Sequence, residues 1–246
     1  MEKVLIFGGL SQWGSKMTDA LLLEGVSVTV TYTSGNQEEE ERALAFGRNA
    51  QFEKVAMENG SSFEWIESGQ DVDTLLFFDA LYHEDSQETL DHLTKSLTAL
   101  DQLKRIVLIS HLDIYGEAEG EIDETSPLKP LTPLGKRVDA LEKGFIQRFL
   151  EYKEETSVDT VIILRMPHLY DEGGTLERLD QDRLHVKDAA EGITQAVIKP
   201  LKSGIHVIQL SSGERLTSHN KERQFPYNKA AKLLNFKPKV TLELWR

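Results

Sequence analysis

Lys3-Val4-Leu5-Ile6-Phe7-Gly8-Gly9-Leu10-Ser11-Gln12-Trp13-Gly14, followed by Val26-Ser27-Val28-Thr29-Val30-Thr31-Tyr32, decides the fold. The first stretch opens with a short, uninterrupted apolar run that stops at a glycine pair, as a strand buried on both faces does. Residues 12–24 then carry apolar side chains at helical spacing, at Trp13, Met17, Ala20, Leu21 and Leu23, and Gly25 closes the helix. Residues 26–32 are β-branched and alternate, which predicts a second strand. A strand, a helix and a strand within about 30 residues form a βαβ unit, with a right-handed crossover and parallel strands.

Working outward, the pattern repeats. Residues 36–47 predict a helix with an acidic, solvated start at Glu38–Glu41. Residues 50–72 give no clear period beyond one or two short strands. Strands are expected at 73–78, 104–110, 158–165 and 205–210, and helices at 86–101, 133–152, 187–201 and 227–235, with a long polar loop over 111–132. Alternating β and α elements define an α/β protein with a doubly wound, Rossmann-like parallel sheet and a small, trimmed C-terminal lobe. The expected division is a nucleotide-binding domain over 1–165 and a lobe over 166–246, some of whose elements return to the main sheet.

Bulk properties narrow the classes of function. The chain has 246 residues, 28% of them charged, and a formal net charge of −13. That charge argues against nucleic acid and against an anionic membrane surface as partners, since both need basic patches. No apolar run approaches the roughly 18 residues of a membrane span. There is no cysteine, which excludes disulfides and thiolate metal sites. Met1–Phe7 runs directly into a strand and lacks the pattern of a signal peptide, so a cytoplasmic location is expected.

The glycine-rich turn lies between a strand and a helix, the context a dinucleotide fingerprint requires. Gly8 suits the tight turn, Gly14 suits close helix–strand packing, and the helix N-terminus would face a pyrophosphate. Gly8, Gly9, Ser11, Gln12, Trp13 and Gly14 are therefore candidate cofactor contacts, with Tyr32 and Thr33 at the tip of the second strand. Ser11 replaces the middle glycine, whose missing Cβ lets backbone approach phosphate. The tip Tyr32-Thr33-Ser34 offers neither the carboxylate that binds an NAD ribose nor a nearby arginine for a 2′-phosphate. NAD, NADP or no cofactor all remain open on these residues.

Further stretches resemble, in order, the extended short-chain dehydrogenase/reductases, the NAD-dependent epimerase/dehydratase group. Ile109-Ser110-His111-Leu112-Asp113-Ile114-Tyr115-Gly116 is similar to the family's strand end of Ser-Ser followed by Val-Tyr-Gly. Asp123–Pro130 resembles its Glu-x-x-Pro-x-x-Pro approach to the catalytic helix. Ile163-Leu164-Arg165-Met166-Pro167-His168-Leu169-Tyr170 resembles Leu-Arg-x-x-Asn-Val-Tyr-Gly, and His185–Ala190 resembles His-Val-x-Asp-x-Ala. Asn228–Pro238 resembles the C-terminal Lys-x-x-x-x-Leu-Gly-x-x-Pro helix. The resemblance implies a Rossmann-like fold, a nicotinamide dinucleotide, a nucleotide-sugar substrate and a possible homodimer.

The catalytic positions depart from that pattern. His111 stands at the family's serine or threonine, Leu134 at its tyrosine and Val138 at its lysine. None of the tyrosines at 32, 82, 115, 152, 170 and 227 is followed by a lysine four residues later. Leucine and valine can neither move a proton nor tune a pKa, and losing a general acid/base typically costs about 10²–10⁴ in rate. His111 and Tyr115 are the candidate catalytic substitutes, Tyr115 also fitting a purely structural role. His168, at the family's substrate-contacting asparagine, is the candidate substrate residue. Asp113 and Lys136 fall near the same cleft, Lys136 turned away from the face of Leu134. Arg165 and Asp188 are expected to anchor structure. Sequence spacing shows no metal-ligand cluster, and no metal is expected.

Three readings follow. The first is a family-like protein that binds NAD(P) or a nucleotide-sugar without the usual redox chemistry, as a sensor would. The second is an active epimerase, dehydratase or reductase led by His111. The third is a scaffold that binds no nucleotide. Phe145 and Phe149 form a stripe on the helix over 133–152 that suits either core packing or a dimer face.

Overall fold

A computed structural model of the chain describes residues 2–57, 63, 65–81, 86–171, 182–218 and 221–240. In chain order the elements are β1 (Lys3–Phe7), α1 (Gly14–Leu23), β2 (Ser27–Thr33), α2 (Gln37–Leu44), β3 (Phe52–Met57), α3 (Trp65–Ser68), β4 (Thr74–Phe77), α4 (Ser86–Ala99) and β5 (Arg105–His111). Then come β6 (Gly120–Glu121), α5 (Pro133–Tyr152), β7 (Thr160–Met166), β8 (His168–Tyr170), β9 (Arg183–His185) and α6 (Val186–Ile198). The chain continues with β10 (Gly204–Gln209), β11 (Arg215–Ser218), β12 (Lys221–Gln224) and α7 (Asn228–Leu234).

Seven strands form one parallel sheet in the order β10-β7-β5-β4-β1-β2-β3. This is the doubly wound order, and it reverses direction between β1 and β4. The apolar runs are explained by burial on both faces. In β1, Val4 and Ile6 join a core with α1, α6 and α7, whereas Leu5 and Phe7 join a second core with α3, α4 and α5. Val161 and Ile163 of β7 face the second core, and Ile162 and Leu164 face the first. Phe145 and Phe149 are buried in the second core, so the aromatic stripe of α5 is packing.

The C-terminal residues are not all on the cleft side of the sheet. β10 extends the main sheet beside β7, and Ile193 of α6 and Leu234 of α7 fill the core with Met17 and Leu21 of α1. Asp188, buried at the start of α6, accepts the backbone N–H groups of Lys239 and Val240, each at 3.0 Å, and so ties the end of the described chain to that helix. Two small sheets sit at the carboxyl edge: β8 with β9, and β11-β12-β6.

The unclear stretch 50–72 holds one edge strand, β3, and the short helix α3. Part of that stretch, and Tyr82 among the tyrosines surveyed, lie outside the described residues. No helix among the described residues is long and apolar enough to cross a membrane.

Candidate functional site

The carboxyl ends of β1, β2, β4, β5 and β7 lie along one edge of the parallel sheet, outside which open α/β sheets bind ligands in a crevice. At the β1 end, Gly8 has φ +77°, and any side chain there would collide with Asp79. Gly14 lies against the Gly8 carbonyl, so no Cβ fits and α1 starts flush against the turn. Ser11, at the middle-glycine position, turns its hydroxyl inward. Its Oγ donates to the Gly8 carbonyl at 2.8 Å and accepts the Gly14 N–H at 3.1 Å. The serine therefore caps the turn from within. The backbone N–H groups of Gln12 and Trp13 donate to nothing among the described residues. Two amides at the positive end of α1 thus remain for an anion.

At the β2 tip the missing carboxylate is supplied from elsewhere. Glu39, in the first turn of α2, folds back so that its Oε2 accepts the Thr33 N–H at 2.8 Å. Asn36 caps α2 by accepting the Glu39 N–H, which fixes this approach. Glu39 lines a pocket together with Gly8, Tyr32, Thr33, Met57 and Asp79. Its pKa is raised, chiefly by burial, with Asp79 adding to the shift. The expectation that Glu38–Glu41 is wholly a solvated face is thus corrected at Glu39. An arginine is also close, contrary to the sequence reading. Arg42 donates from Nη1 to the Leu10 carbonyl at 3.0 Å and from Nη2 to Glu38 at 2.7 Å.

The catalytic end is different. Leu134 and Val138 pack into an apolar cluster with Leu112, Ile114, Tyr115, Ile122 and Phe225. Val138 is buried. Apolar packing therefore fills the two positions where the family resemblance would place a tyrosine and a lysine. Lys136 is exposed.

Tyr115 does not reach the crevice. Its side chain is fully buried, and its hydroxyl accepts from Arg165 Nη1 at 2.7 Å. Burial pushes the Tyr115 pKa up to about 12, partly offset by Arg165. A phenol that is enclosed and this reluctant to ionise cannot serve as a base at neutral pH. Arg165 also grips Glu142 of α5 with Nε at 2.9 Å and Nη2 at 2.6 Å, and Ser110 donates to the same carboxylate. This buried network locks β5, β7 and α5 together beneath the site. It gives Arg165 the anchoring part and Tyr115 a structural one.

His111 is placed otherwise. It ends β5, and its Nδ1 accepts the Asp113 N–H at 3.1 Å, capping the 3-10 turn Leu112–Tyr115. Its Nε2 is buried and has no hydrogen-bond partner among the described residues. Asp113 Oδ1 lies 3.4 Å from the same Nδ1, and Oδ2 accepts the Thr132 hydroxyl at 3.1 Å. Hydrogen bonding from His111 is the largest cause that holds the Asp113 carboxyl below its ordinary range. The pairing of β5 with β7 puts His111 opposite Met166. His168, two residues on, consequently brings its ring centroid to 4.5 Å from that of His111. His168 stays exposed, and its pKa is lowered, first by desolvation and then by His111. The structure thus joins His111, Asp113 and His168, and separates them from Tyr115 and Lys136.

No protein-family model matches the chain. Among curated proteins it is similar to protein YeeZ of Escherichia coli K12, with 25% identity over 97% of this chain and 86% of that protein. Among solved structures it superposes on UDP-glucuronic acid 4-epimerase from Bacillus cereus in complex with NAD, with a TM-score of 0.75, 19% identity, and coverage of 98% of this chain and 94% of that one. The yeast methylglyoxal/isovaleraldehyde reductase Gre2, complexed with NADPH, gives a TM-score of 0.78 at 15% identity over 98% of this chain and 95% of that one. The dTDP-glucose 4,6-dehydratase from Bacillus anthracis in complex with NAD gives 0.73 at 17% identity over 99% and 93%. The chain has the Rossmann-like fold of these epimerase, reductase and dehydratase structures.

Proposed function

We propose that this protein is a member of the extended short-chain dehydrogenase/reductases, the NAD-dependent epimerase/dehydratase group, which binds a nicotinamide dinucleotide, NAD in preference to NADP, and does not run the family's tyrosine–lysine proton chemistry. The observation that carries this reading is Glu39, whose carboxylate is held on the Thr33 amide beside Gly8. A carboxylate there accepts the hydroxyls of an adenosine ribose and repels a 2′-phosphate. Gln12 and Trp13 offer their amides to the pyrophosphate. Ser11 leaves the turn intact, since its hydroxyl is spent on Gly8 and Gly14. When bound, the dinucleotide would supply a hydride acceptor, but Leu134 and Val138 offer no proton acceptor beside it. His168 faces the place of a second ligand, for which a nucleotide-sugar is the class we propose. The protein would then act by binding, as a cofactor-responsive sensor in the cytoplasm.

Melting curves with NAD, NADH, NADP and NADPH test this reading. A ligand at a hundredfold excess over its Kd adds about 2.7 kcal/mol of stability. A shift with NAD or NADH is expected, and no shift with any of the four refutes it.

A second reading is favoured by one observation, the unpartnered Nε2 of His111 with Asp113 behind its Nδ1. If the Asp113 N–H gives way and a proton on Nδ1 is held by the Asp113 carboxylate, Nε2 becomes free to act as a base. Turnover of a nucleotide-sugar panel that is lost in His111→Ala supports this active-enzyme reading. Turnover that survives the substitution removes His111 from it.

A further inference from the structure

His111, Asp113 and His168 are separated by up to 57 residues in the chain, yet each offers a donor atom, and these atoms all lie within 4.8 Å of one another. We propose that the two imidazoles, with Asp113 supporting His111 from behind, bind a first-row transition-metal dication where β5 and β7 end. The inference is independent of whether a dinucleotide binds.

Two features point to a ligand. His111 is 5% exposed, and its Nε2 is a buried polar atom with no partner among the described residues, an arrangement that native interiors rarely leave unanswered. His168 stands beside it on the strand that follows β7, with its ring centroid 4.5 Å from that of His111. Two imidazoles suit zinc, iron(II), cobalt or nickel, and do not suit magnesium or calcium, which take oxygen donors. Ligands at about 2.0–2.2 Å from a tetrahedral ion stand roughly 3.4 Å apart. Closing the present set therefore takes side-chain rotations of about an ångström, chiefly by His168.

Protons and charges can be followed in the same geometry. Ligation through Nε2 of His111 needs the proton on Nδ1. Asp113 Oδ1, 3.4 Å from Nδ1, is placed to accept it when the backbone N–H of Asp113 gives way. A carboxylate behind a ligating imidazole is a common support of metal sites. The negative charge of Asp113, fixed to the start of α5 through Thr132, offsets part of the ion's charge. Arg183 opposes the ion. It pairs with His168 in the β8–β9 register, and its positive charge acts on that ring. Two imidazole donors leave further coordination positions open, as in catalytic rather than structural sites.

The test uses the full chain, free of any histidine tag, dialysed against chelator and without dinucleotide. Zinc and cobalt(II) are titrated calorimetrically, and the cobalt complex is followed by its visible absorption. One ion per chain is expected, with magnesium unable to compete. His111→Ala and His168→Asn should each weaken binding at least tenfold. His168 is exposed, so its variant separates ligand loss from misfolding, which circular dichroism of both variants checks. Arg183→Gln should tighten binding, an effect that a merely structural role for these residues would not produce. Absence of saturable binding, or binding unchanged in both histidine variants, overturns the proposal. An NAD-induced melting shift in the same preparation reports separately on the cofactor reading.

Discussion

Replacing Glu39 by alanine should reshape cofactor selection, and its size can be worked from the structure. Glu39 is half-buried and accepts one backbone N–H, from Thr33, at 2.8 Å. Thr33 is exposed, so water replaces the lost acceptor, and the fold should lose no more than about 1 kcal/mol. In the bound state the carboxylate accepts a ribose hydroxyl. A hydrogen bond to a charged group contributes about 1.5–3 kcal/mol, and partial exposure favours the lower half of that range. Affinity for NAD should therefore fall about 10–30-fold. A 2′-phosphate near the same carboxylate brings close to two negative charges. At about 4 Å in water each unit pair repels by about 1 kcal/mol, so wild-type protein should disfavour NADP by about 2 kcal/mol. In Glu39→Ala that penalty vanishes, and the preference for NAD should collapse or invert. Glu39→Gln, which keeps an acceptor but loses the charge, should fall between. Calorimetric titration of the three proteins with NAD and NADP measures all of this. Unchanged NAD affinity in Glu39→Ala, or tighter binding of NADP than NAD by wild-type protein, would refute the reasoning.

Other outcomes follow from the buried groups. Val138→Lys puts an ammonium into the cluster with Tyr115 and Phe225 and should cost about 3–5 kcal/mol in urea denaturation, so the family's lysine cannot simply be restored. Glu142→Leu strands the Arg165 guanidinium and should also cost about 3–5 kcal/mol, whereas adding Arg165→Met should recover most of that loss. Asp182 is buried and its pKa is raised to about 7, chiefly by desolvation. Its ordinary value is about 3.9. The folded state thus binds the extra proton, and stability should be fullest below about pH 4 for this group and decline as pH rises through about 7. Asp182→Asn should flatten that decline and stabilise the protein at pH 8 by roughly 1–4 kcal/mol, read from melts across pH.

The main sheet was legible because its strands are buried on both faces. Runs such as Val4–Phe7 and Val161–Leu164 are apolar throughout, and no helix competes for so short a segment. β3 was hard to read for the opposite reason. It is an edge strand, and Glu53 and Lys54 face water in its middle. The strands β6, β8, β9, β11 and β12 have two to four residues each, too few to show a period. At the site, the glycine turn and the apolar Leu134 and Val138 were visible as residues. The carboxylate at the β2 tip was not, because Glu39 arrives by the fold-back of α2 rather than by the strand itself. An N-cap asparagine three residues before Glu39 was the available signal. The meeting of His168 with His111 depends on the β5–β7 register, a long-range property that spacing along the chain does not carry.

A crystal of the protein grown with NAD is the most direct test. The dinucleotide should lie along the carboxyl edge of the sheet. Its adenosine ribose should lie within hydrogen-bonding distance of Glu39, its pyrophosphate over the amides of Gln12 and Trp13, and its nicotinamide beside no tyrosine or lysine. A crevice without dinucleotide at saturating NAD, or a phenol and an amine reaching the nicotinamide together, would contradict it.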